Sequence, residues 1–308
     1  MYDLIIIGGG PAACAAAVYA ARKQLDAVLV TPVFGGQSGV SEEIYNWIGT
    51  PAIAGSQLDR DLETHVRNYE GDYLTIVTGS PIVDLQKSAD HFVATAGNET
   101  TYTARTVLVT SGSGRRKLDV PGAKTFENKG VVYCATCDGP LFSGQDVVVV
   151  GGGNAGFESA AQLLAYCKSV TLVQRSSSYR ADEITIQRVL AHENMTGMLN
   201  TQPIEVMGDK FVTGMKVRNT VTGEESVLNA GGVFIEIGQI PNTHYIGDVC
   251  DMTPTNHIII DPWTQRSSTP GIWAAGDVSN TLYHQNNIAA GDAVRALEDI
   301  YLYLHTGK

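Results

Sequence analysis

Two cysteines three positions apart, in Cys134-Ala135-Thr136-Cys137, are followed at once by Asp138 and Gly139. Thiols at this spacing can close a small disulfide ring, and a lowered thiolate pKa would make them competent in disulfide exchange. The same spacing supplies half of a zinc site, which needs two further ligands. Cys14, Cys167, Cys250 and the seven histidines show no second pair at metal spacing, so the redox reading is preferred and no metal is expected. A carboxyl group beside the second cysteine could deliver or remove a proton as thiol and thiolate interchange. Asp-Gly is also a frequent turn pair, and the residues alone support both readings of Asp138 equally.

Two glycine clusters give a redox pair something to exchange electrons with. Gly8-Gly9-Gly10-Pro11-Ala12-Ala13 follows the apolar run Leu4 to Ile7, and Gly151-Gly152-Gly153-Asn154-Ala155-Gly156 follows Val147 to Val150. Each then opens a helical stretch, through Ala21 and through about Tyr166. Strand, glycine turn and helix in that order form the dinucleotide fingerprint, in which backbone amides at a helix N-terminus approach a pyrophosphate. Gly8, Gly10, Pro11 and Ala12 are thus candidate contacts for one dinucleotide, and Gly151, Gly153, Asn154 and Gly156 for a second. Thr31 stands where an acid usually ends the second strand, so no ribose contact is assigned there. Two such sites imply electron exchange between two cofactors, FAD with a reduced nicotinamide being the commonest solution. A duplicated fold that kept one ligand is the plainer alternative.

The elements needed to position these groups repeat along the chain. After each helix comes another strand, Ala27 to Val30 and Val170 to Val173, then shorter β-like segments at Phe92 to Thr95, Thr106 to Thr110, Phe211 to Val217 and Val233 to Ile237. The pattern predicts an α/β fold of two Rossmann-like, three-layer nucleotide-binding domains, the second inserted in the first if the tail from about Ile246 completes the earlier one. The crossovers are expected near Leu118 to Gly122 and Pro241 to Tyr245. The 308 residues include 33 glycines and only 17 % charged residues, which suits such a protein. A net charge of -11 without a basic block argues against nucleic-acid and membrane partners. Residues 1–30 show no basic leader with a cleavage site and no membrane span, so a cytoplasmic location is expected.

Taken together, these segments resemble the low-molecular-weight thioredoxin reductases over essentially the whole chain. The Cys134 to Gly139 string is the most specific element. Gly35-Gly36-Gln37, Asn46-Trp47, Thr110-Ser111-Gly112 and Ala274-Ala275-Gly276-Asp277 followed by Gln285 match the family's FAD segments. The resemblance implies an FAD domain made of 1–117 and 246–308 and an NADPH domain of 118–245 that carries the cysteines. It implies FAD contacts at Gly35, Gly36, Gln37, Asn46 and Gly112, with Gly276 and Asp277 at the ribityl and pyrophosphate region and Gln285 near the flavin ring. Cys137 would face the flavin, Cys134 would attack the partner's disulfide, and Asp138 would be the acid and base. The implied partner is thioredoxin or a thioredoxin-like protein, and the implied assembly is a homodimer.

One departure concerns the electron donor. NADPH-using members usually carry His-Arg-Arg after the second strand of the nicotinamide domain, where this chain has Gln174-Arg175-Ser176. Arg175 and Arg180 remain as candidates for the extra phosphate. Gly156 and the segment Ile237 to Thr243 are also similar to the flavoprotein subunit of alkyl hydroperoxide reductase, which favours NADH. The lack of an acid near Gln174 favours NADPH. The expectation is therefore an NADPH-dependent thioredoxin-disulfide reductase. Alternatives are an NADH- or ferredoxin-dependent disulfide reductase, a dithiol oxidase, or a redox sensor without turnover.

Overall fold

Leu4, Ile5, Ile6 and Ile7 are apolar at successive positions, a pattern suited to a strand buried on both faces. In the computed structural model, which describes residues 1–41 and 44–306, Leu4 and Ile6 face one hydrophobic layer and Ile5 and Ile7 the other. The strand Tyr2–Ile7 pairs in parallel with Ala27–Thr31 on one side and Thr101–Val109 on the other. Leu74–Thr78 and Ile272–Ala274 extend the parallel array, and the hairpin strands Ile82–Lys87 and Phe92–Ala96 join it antiparallel at the start of Thr101–Val109. Helices Pro11–Arg22, Gly55–Arg67 and Asn286–Thr306 form one outer layer. Ala12, Ala13, Ala16, Ala17, Ala20 and Ala21 are all buried in the first of them, and their small size lets it pack closely between the sheet and the last helix.

The plan repeats with the strand Asp146–Val150, flanked in parallel by Ser169–Val173 and Gly232–Ile235, with Met195–Met198 and Val131–Val132 outside them. Val147 and Val149 pack against helix Asn154–Leu163. Val148 and Val150 pack against an antiparallel sheet of Thr201–Gly208, Val212–Asn219 and Glu225–Asn229. The helix stops at Leu163, short of the expected Tyr166, where the amides of Ala165 and Tyr166 bond only three residues back, to Gln162 O and Leu163 O, and tighten the last turn.

The chain divides into two compact units, Met1–Gly114 with Ile240–Lys308, and Arg115–Gln239. The crossings thus fall at 114/115 and 239/240 and not at 117/118 and 245/246. Hydrogen bonds account for both displacements. Arg116 N–H donates to Gly238 O, and Lys117 pairs with Glu127, which binds this stretch to the inserted unit. Asn242 N–H donates to Gly112 O and its side chain to Ser111 O, which binds the returning chain to the first unit before residue 246. Pro121, within the stretch expected to cross over, lies inside the inserted unit with its carbonyl accepting Val206 N–H.

Tyr245 is buried, and its hydroxyl donates to Ser111 Oγ at 3.0 Å, while Ser111 Oγ donates to Asn242 O at 2.8 Å. Tyr245→Phe removes the first bond and keeps the second. The unfolding free energy should fall by about 1 kcal/mol in chemical denaturation, and an unchanged value would show that this hydroxyl contributes nothing to fastening the returning chain.

Candidate active site

Strand register sets the first half of the site. Ile7 lies opposite Val30 and Val109, and Val109 opposite Ala274, so the chain leaves four parallel strands along one edge. Open parallel sheets bind ligands in the crevice outside such an edge. Gly8 turns the chain there with φ +133°, and a Cβ on it would overlap the carbonyl of Thr110. Gly10 caps helix Pro11–Arg22, and a Cβ there would meet only Gly35 O, at 3.9 Å, so the backbone faces open space. Pro11 has no N–H, and the amides of Ala12 and Ala13 in the first turn have no acceptor within the helix.

Segments distant in sequence close around this turn. Gly35 N–H donates to Gly9 O at 2.8 Å, which lays Gly35-Gly36-Gln37 beside it, and Gly36 approaches Gly10 closely enough to put a Cβ 3.5 Å from its Cα. A Cβ on Gly276 would lie 3.0 Å from Ala289 Cβ and 3.6 Å from Ala12 Cβ, and Asp277 follows directly. Gly112 borders open space. Asn46 Nδ2 donates to Gln285 Oε1 at 3.0 Å, so two residues singled out from opposite ends of the sequence hold each other. His284 and Gln285 directly precede the last helix, which begins at Asn286. Free helix amides, an open backbone face and a polar rim fit the pyrophosphate and attached groups of FAD. Thr31 is buried, and its hydroxyl donates to Val33 O at 2.7 Å.

The second fingerprint has the same geometry in the inserted unit. Gly151 has φ +125°, and its Cβ would overlap the carbonyl of Glu236. Gly153 faces open space, and a Cβ on Gly156 would overlap Gly151 O, which fits the three glycine roles of turn, close ligand approach and helix packing. Asn154 Oδ1 accepts Asp182 N–H at 2.9 Å, and Arg180 N–H donates to Gly152 O at 2.7 Å, so the loop after the second strand folds back onto the turn. Gln174, at the end of that strand, is buried, with Oε1 accepting Gly152 N–H and Nε2 donating to Ser176 Oγ and Ser178 O. Arg175 and Arg180 are exposed, and among the described residues neither forms an ion pair. These residues fit a pyridine dinucleotide, with two guanidinium groups open to an anion.

Cys134 and Cys137 are disulfide-bonded with Cα atoms 5.3 Å apart. Cys134 caps the short helix Ala135–Asp138, its Sγ accepting Cys137 N–H at 3.2 Å. Thr136 Oγ1 donates to Gln162 Oε1 at 2.8 Å and fastens the motif to the helix that the second fingerprint opens. Gly139 is helical, with φ −49° and ψ −46°, so Asp138-Gly139 carries the chain onward into Gly139–Phe142 and does not make a reverse turn. Burial pushes the other thiols up, Cys14 to about 12, Cys167 to about 11 and Cys250 also upward, which keeps all three protonated at neutral pH. Among the described residues no group of three or more His, Cys, Asp or Glu is placed to hold a metal.

Several contributors escaped the sequence reading. Ser38 Oγ donates to Asn286 Oδ1 at 2.9 Å and Asn287 Nδ2 to Asn46 O at 2.8 Å, bracing the loop at the first site. Their uncharged, unpatterned types gave no signal. Glu236 follows the strand Gly232–Ile235, which was expected to run to Ile237, and its carboxyl accepts Ser159 Oγ–H at 2.6 Å. An acid directly after a buried apolar strand in a fingerprint unit was the available signal. Burial lifts its carboxyl to about 7, partly offset by the Ser159 bond and by Arg115, with Glu158 adding to the rise.

Comparison with known proteins agrees with this geometry. Residues 2–293 match the family described as pyridine nucleotide-disulphide oxidoreductase. The thioredoxin reductase of Streptococcus pyogenes MGAS5005 is 32 % identical with a TM-score of 0.88, covering 99 % of both chains. That of Giardia duodenalis is 28 % identical with a TM-score of 0.91 and the same coverage. An alkyl hydroperoxide reductase subunit of Staphylococcus aureus (strain NCTC 8325 / PS 47) is 36 % identical over 303 residues, which are 98 % of this chain and 59 % of that protein. The chain thus spans about three-fifths of the length of such curated relatives.

The raised Glu236 carboxyl has a stability consequence whose sign is fixed. The folded state holds this proton more tightly than the unfolded chain, so its contribution falls as pH rises from the unfolded value of about 4.5 through about 7. Glu236→Gln keeps an acceptor for Ser159 and removes the charge. It should stabilise the protein by about 2 kcal/mol more at about pH 8 than at about pH 5, after allowance for residual exposure. Parallel thermal melts at the two pH values check this, and an equal effect at both would show that the acid is not held back in the folded state.

Proposed function

The chain belongs to the pyridine nucleotide-disulphide oxidoreductase family, and from that premise we propose that it is a thioredoxin-disulfide reductase that uses NADPH, FAD and the Cys134–Cys137 pair. The observation that carries the reading is the placement of that disulfide on the inserted nucleotide unit, tied by Thr136 to the helix of the second fingerprint. The two-way coverage of 99 % with a thioredoxin reductase supports the same assignment. Bound at the first fingerprint, FAD supplies a carrier that accepts two electrons from a nicotinamide and delivers them to a disulfide.

Gly8, Gly10, Pro11 and Ala12 present the helix terminus to the pyrophosphate of FAD. Gly35, Gly36, Gln37, Asn46, Gly112, Gly276, Asp277 and Gln285 line the rest of that site. Gly151, Gly153, Asn154 and Gly156 receive the nicotinamide dinucleotide, and Arg175 and Arg180 receive its 2′-phosphate. Once the disulfide is reduced, the Cys134 thiolate attacks a sulfur of the partner's disulfide and forms a mixed disulfide, expelling one partner thiolate. The Cys137 thiolate then attacks Cys134 Sγ, restoring the Cys134–Cys137 bond and releasing the partner's second thiolate. Asp138 carries the proton that moves between Cys137 and solvent.

The 36 % identity to a subunit of alkyl hydroperoxide reductase and the loss of the second adjacent arginine favour one further reading, an NADH-dependent reductase of a separate dithiol protein. Nucleotide titrations separate the two. Arg175→Ala and Arg180→Ala should each weaken NADPH binding about tenfold and leave NADH binding unchanged, whereas tighter NADH binding by the unaltered protein would favour the second reading.

Cys134→Ser tests the thiol roles. It should retain anaerobic bleaching of the flavin by the nucleotide and lose reduction of oxidised thioredoxin by at least ~10³-fold. Retained transfer would place the attacking thiol elsewhere.

A further inference from the structure

The two fingerprints act as internal controls for each other. In the first unit the carbonyl pressed against Gly8 belongs to Thr110, whose hydroxyl turns back to donate to Ile7 O at 2.8 Å, and the helix position six residues past Gly10 is the buried Ala16. In the inserted unit the carbonyl pressed against Gly151 belongs to Glu236, and the position six residues past Gly153 is Ser159. An acid and a hydroxyl that binds it at 2.6 Å thus occupy the places that Thr110 and Ala16 hold in the other copy. Packing alone is satisfied by the threonine–alanine combination, so the costlier acid calls for another explanation.

Its position supplies one. Sheet order puts Ser169–Val173 on one side of Asp146–Val150 and Gly232–Ile235 on the other, with Val150 level with both Val173 and Ile235. In such a crevice the end of the second strand receives the adenosine ribose and the glycine turn receives the pyrophosphate. The nicotinamide half therefore continues over the neighbouring strand on the far side, and Glu236 is the first residue beyond that strand. Oxidised nicotinamide carries a positive ring and the reduced form a neutral one, so a carboxyl there distinguishes them by charge.

We propose that Glu236, held by Ser159, is a nicotinamide-binding residue that favours the oxidised ring over the reduced one through its carboxylate charge. This rests on the pyridine-dinucleotide reading of the second fingerprint. Binding of the oxidised nucleotide draws Glu236 into its ionised form, and the proton departs to solvent; no covalent bond changes. Three groups share this environment: Arg115 near the unit's start and Ser159 favour the carboxylate, and Glu158 on the helix opposes it. Because burial keeps the acid partly protonated near neutral pH, affinity for the oxidised nucleotide rises as pH rises through this range, while affinity for the reduced one does not.

The test uses the flavin-loaded protein in redox-matched pairs that cannot react: oxidised enzyme with NADP⁺ or NAD⁺, and pre-reduced anaerobic enzyme with NADPH or NADH. Calorimetric titration between about pH 6 and about pH 8, in buffers of different ionisation enthalpy, gives both affinity and protons released. The oxidised nucleotide should bind about tenfold more tightly at the upper pH and release a fraction of a proton. Glu236→Gln should abolish both effects, and Ser159→Ala should move their midpoint upward because the carboxylate loses a donor. A pH slope and proton release unchanged in Glu236→Gln would overturn the inference while leaving the nucleotide site standing. Failure of every nucleotide to bind at any pH would overturn the underlying reading and the inference with it.

Discussion

Backbone pressed against backbone at two strand ends is the constraint on which the rest of the structure depends. Gly8 lies against the carbonyl of Thr110 and Gly151 against that of Glu236, each with a positive φ and no room for a side chain. Such contact is possible only if neighbouring parallel strands end level, which the pairing of Ile7 with Val109 and of Val150 with Ile235 ensures. Level strand ends in turn require all-apolar strands covered on both faces, and this draws in the helices on one side and β-structure on the other. The helix that follows each turn then begins with its free amides over the crevice.

From this shared start the two units diverge in how their crevices are completed. The first recruits the Gly35 loop, Asn46 and the chain beyond Ala274, fastened by hydrogen bonds between residues more than two hundred positions apart, as in Asn46 to Gln285 and Ser38 to Asn286. Long-range closure of this kind makes the first site dependent on the integrity of the whole unit. The inserted unit completes its crevice locally, with Gln174, Arg180 and Asp182 folding back on the turn. Its helix Asn154–Leu163 serves two ends at once, the turn at its beginning and the cysteine motif through Gln162 near its end. A shift of that helix would therefore be felt at both.

The parts of this arrangement that are legible in sequence are those in which residue type reports a local backbone demand. Gly8 and Gly151 are readable because the turn excludes side chains, Gly10 and Gly153 because they leave the backbone open at the helix start, and Leu4 to Ile7 because both strand faces are buried. The crossing points were placed later in the chain than they fall, because Pro121 and Pro241 suggest a break wherever they occur, whereas Arg116 and Asn242 commit the chain earlier through backbone hydrogen bonds that no residue type announces. The turn reading of Asp138-Gly139, one of the two that the pair leaves open, rests on the same habit of residue type, whereas Gly139 is helical because the short helix from Ala135 runs on into Gly139–Phe142. Ser38, Asn286 and Asn287 were not legible, since their importance arises only from the partners that folding brings to them.

Gln174 shows how a single neutral side chain can leave donor choice to its neighbours. An acid at the end of that strand would accept hydrogen bonds from a ribose and repel a 2′-phosphate. The Gln174 amide does neither, because its oxygen is occupied by Gly152 N–H and its nitrogen by Ser176 and Ser178. Its bonds instead brace the loop from which Arg175 and Arg180 project, and Arg180 is further anchored through its own N–H to Gly152 O. On the proposed reading, discrimination between phosphorylated and unphosphorylated dinucleotides passes from a residue that rejects phosphate to residues that attract it. Attraction by exposed guanidinium groups weakens with ionic strength, so the proposed preference for NADPH is a graded property of the solution as well as of the site.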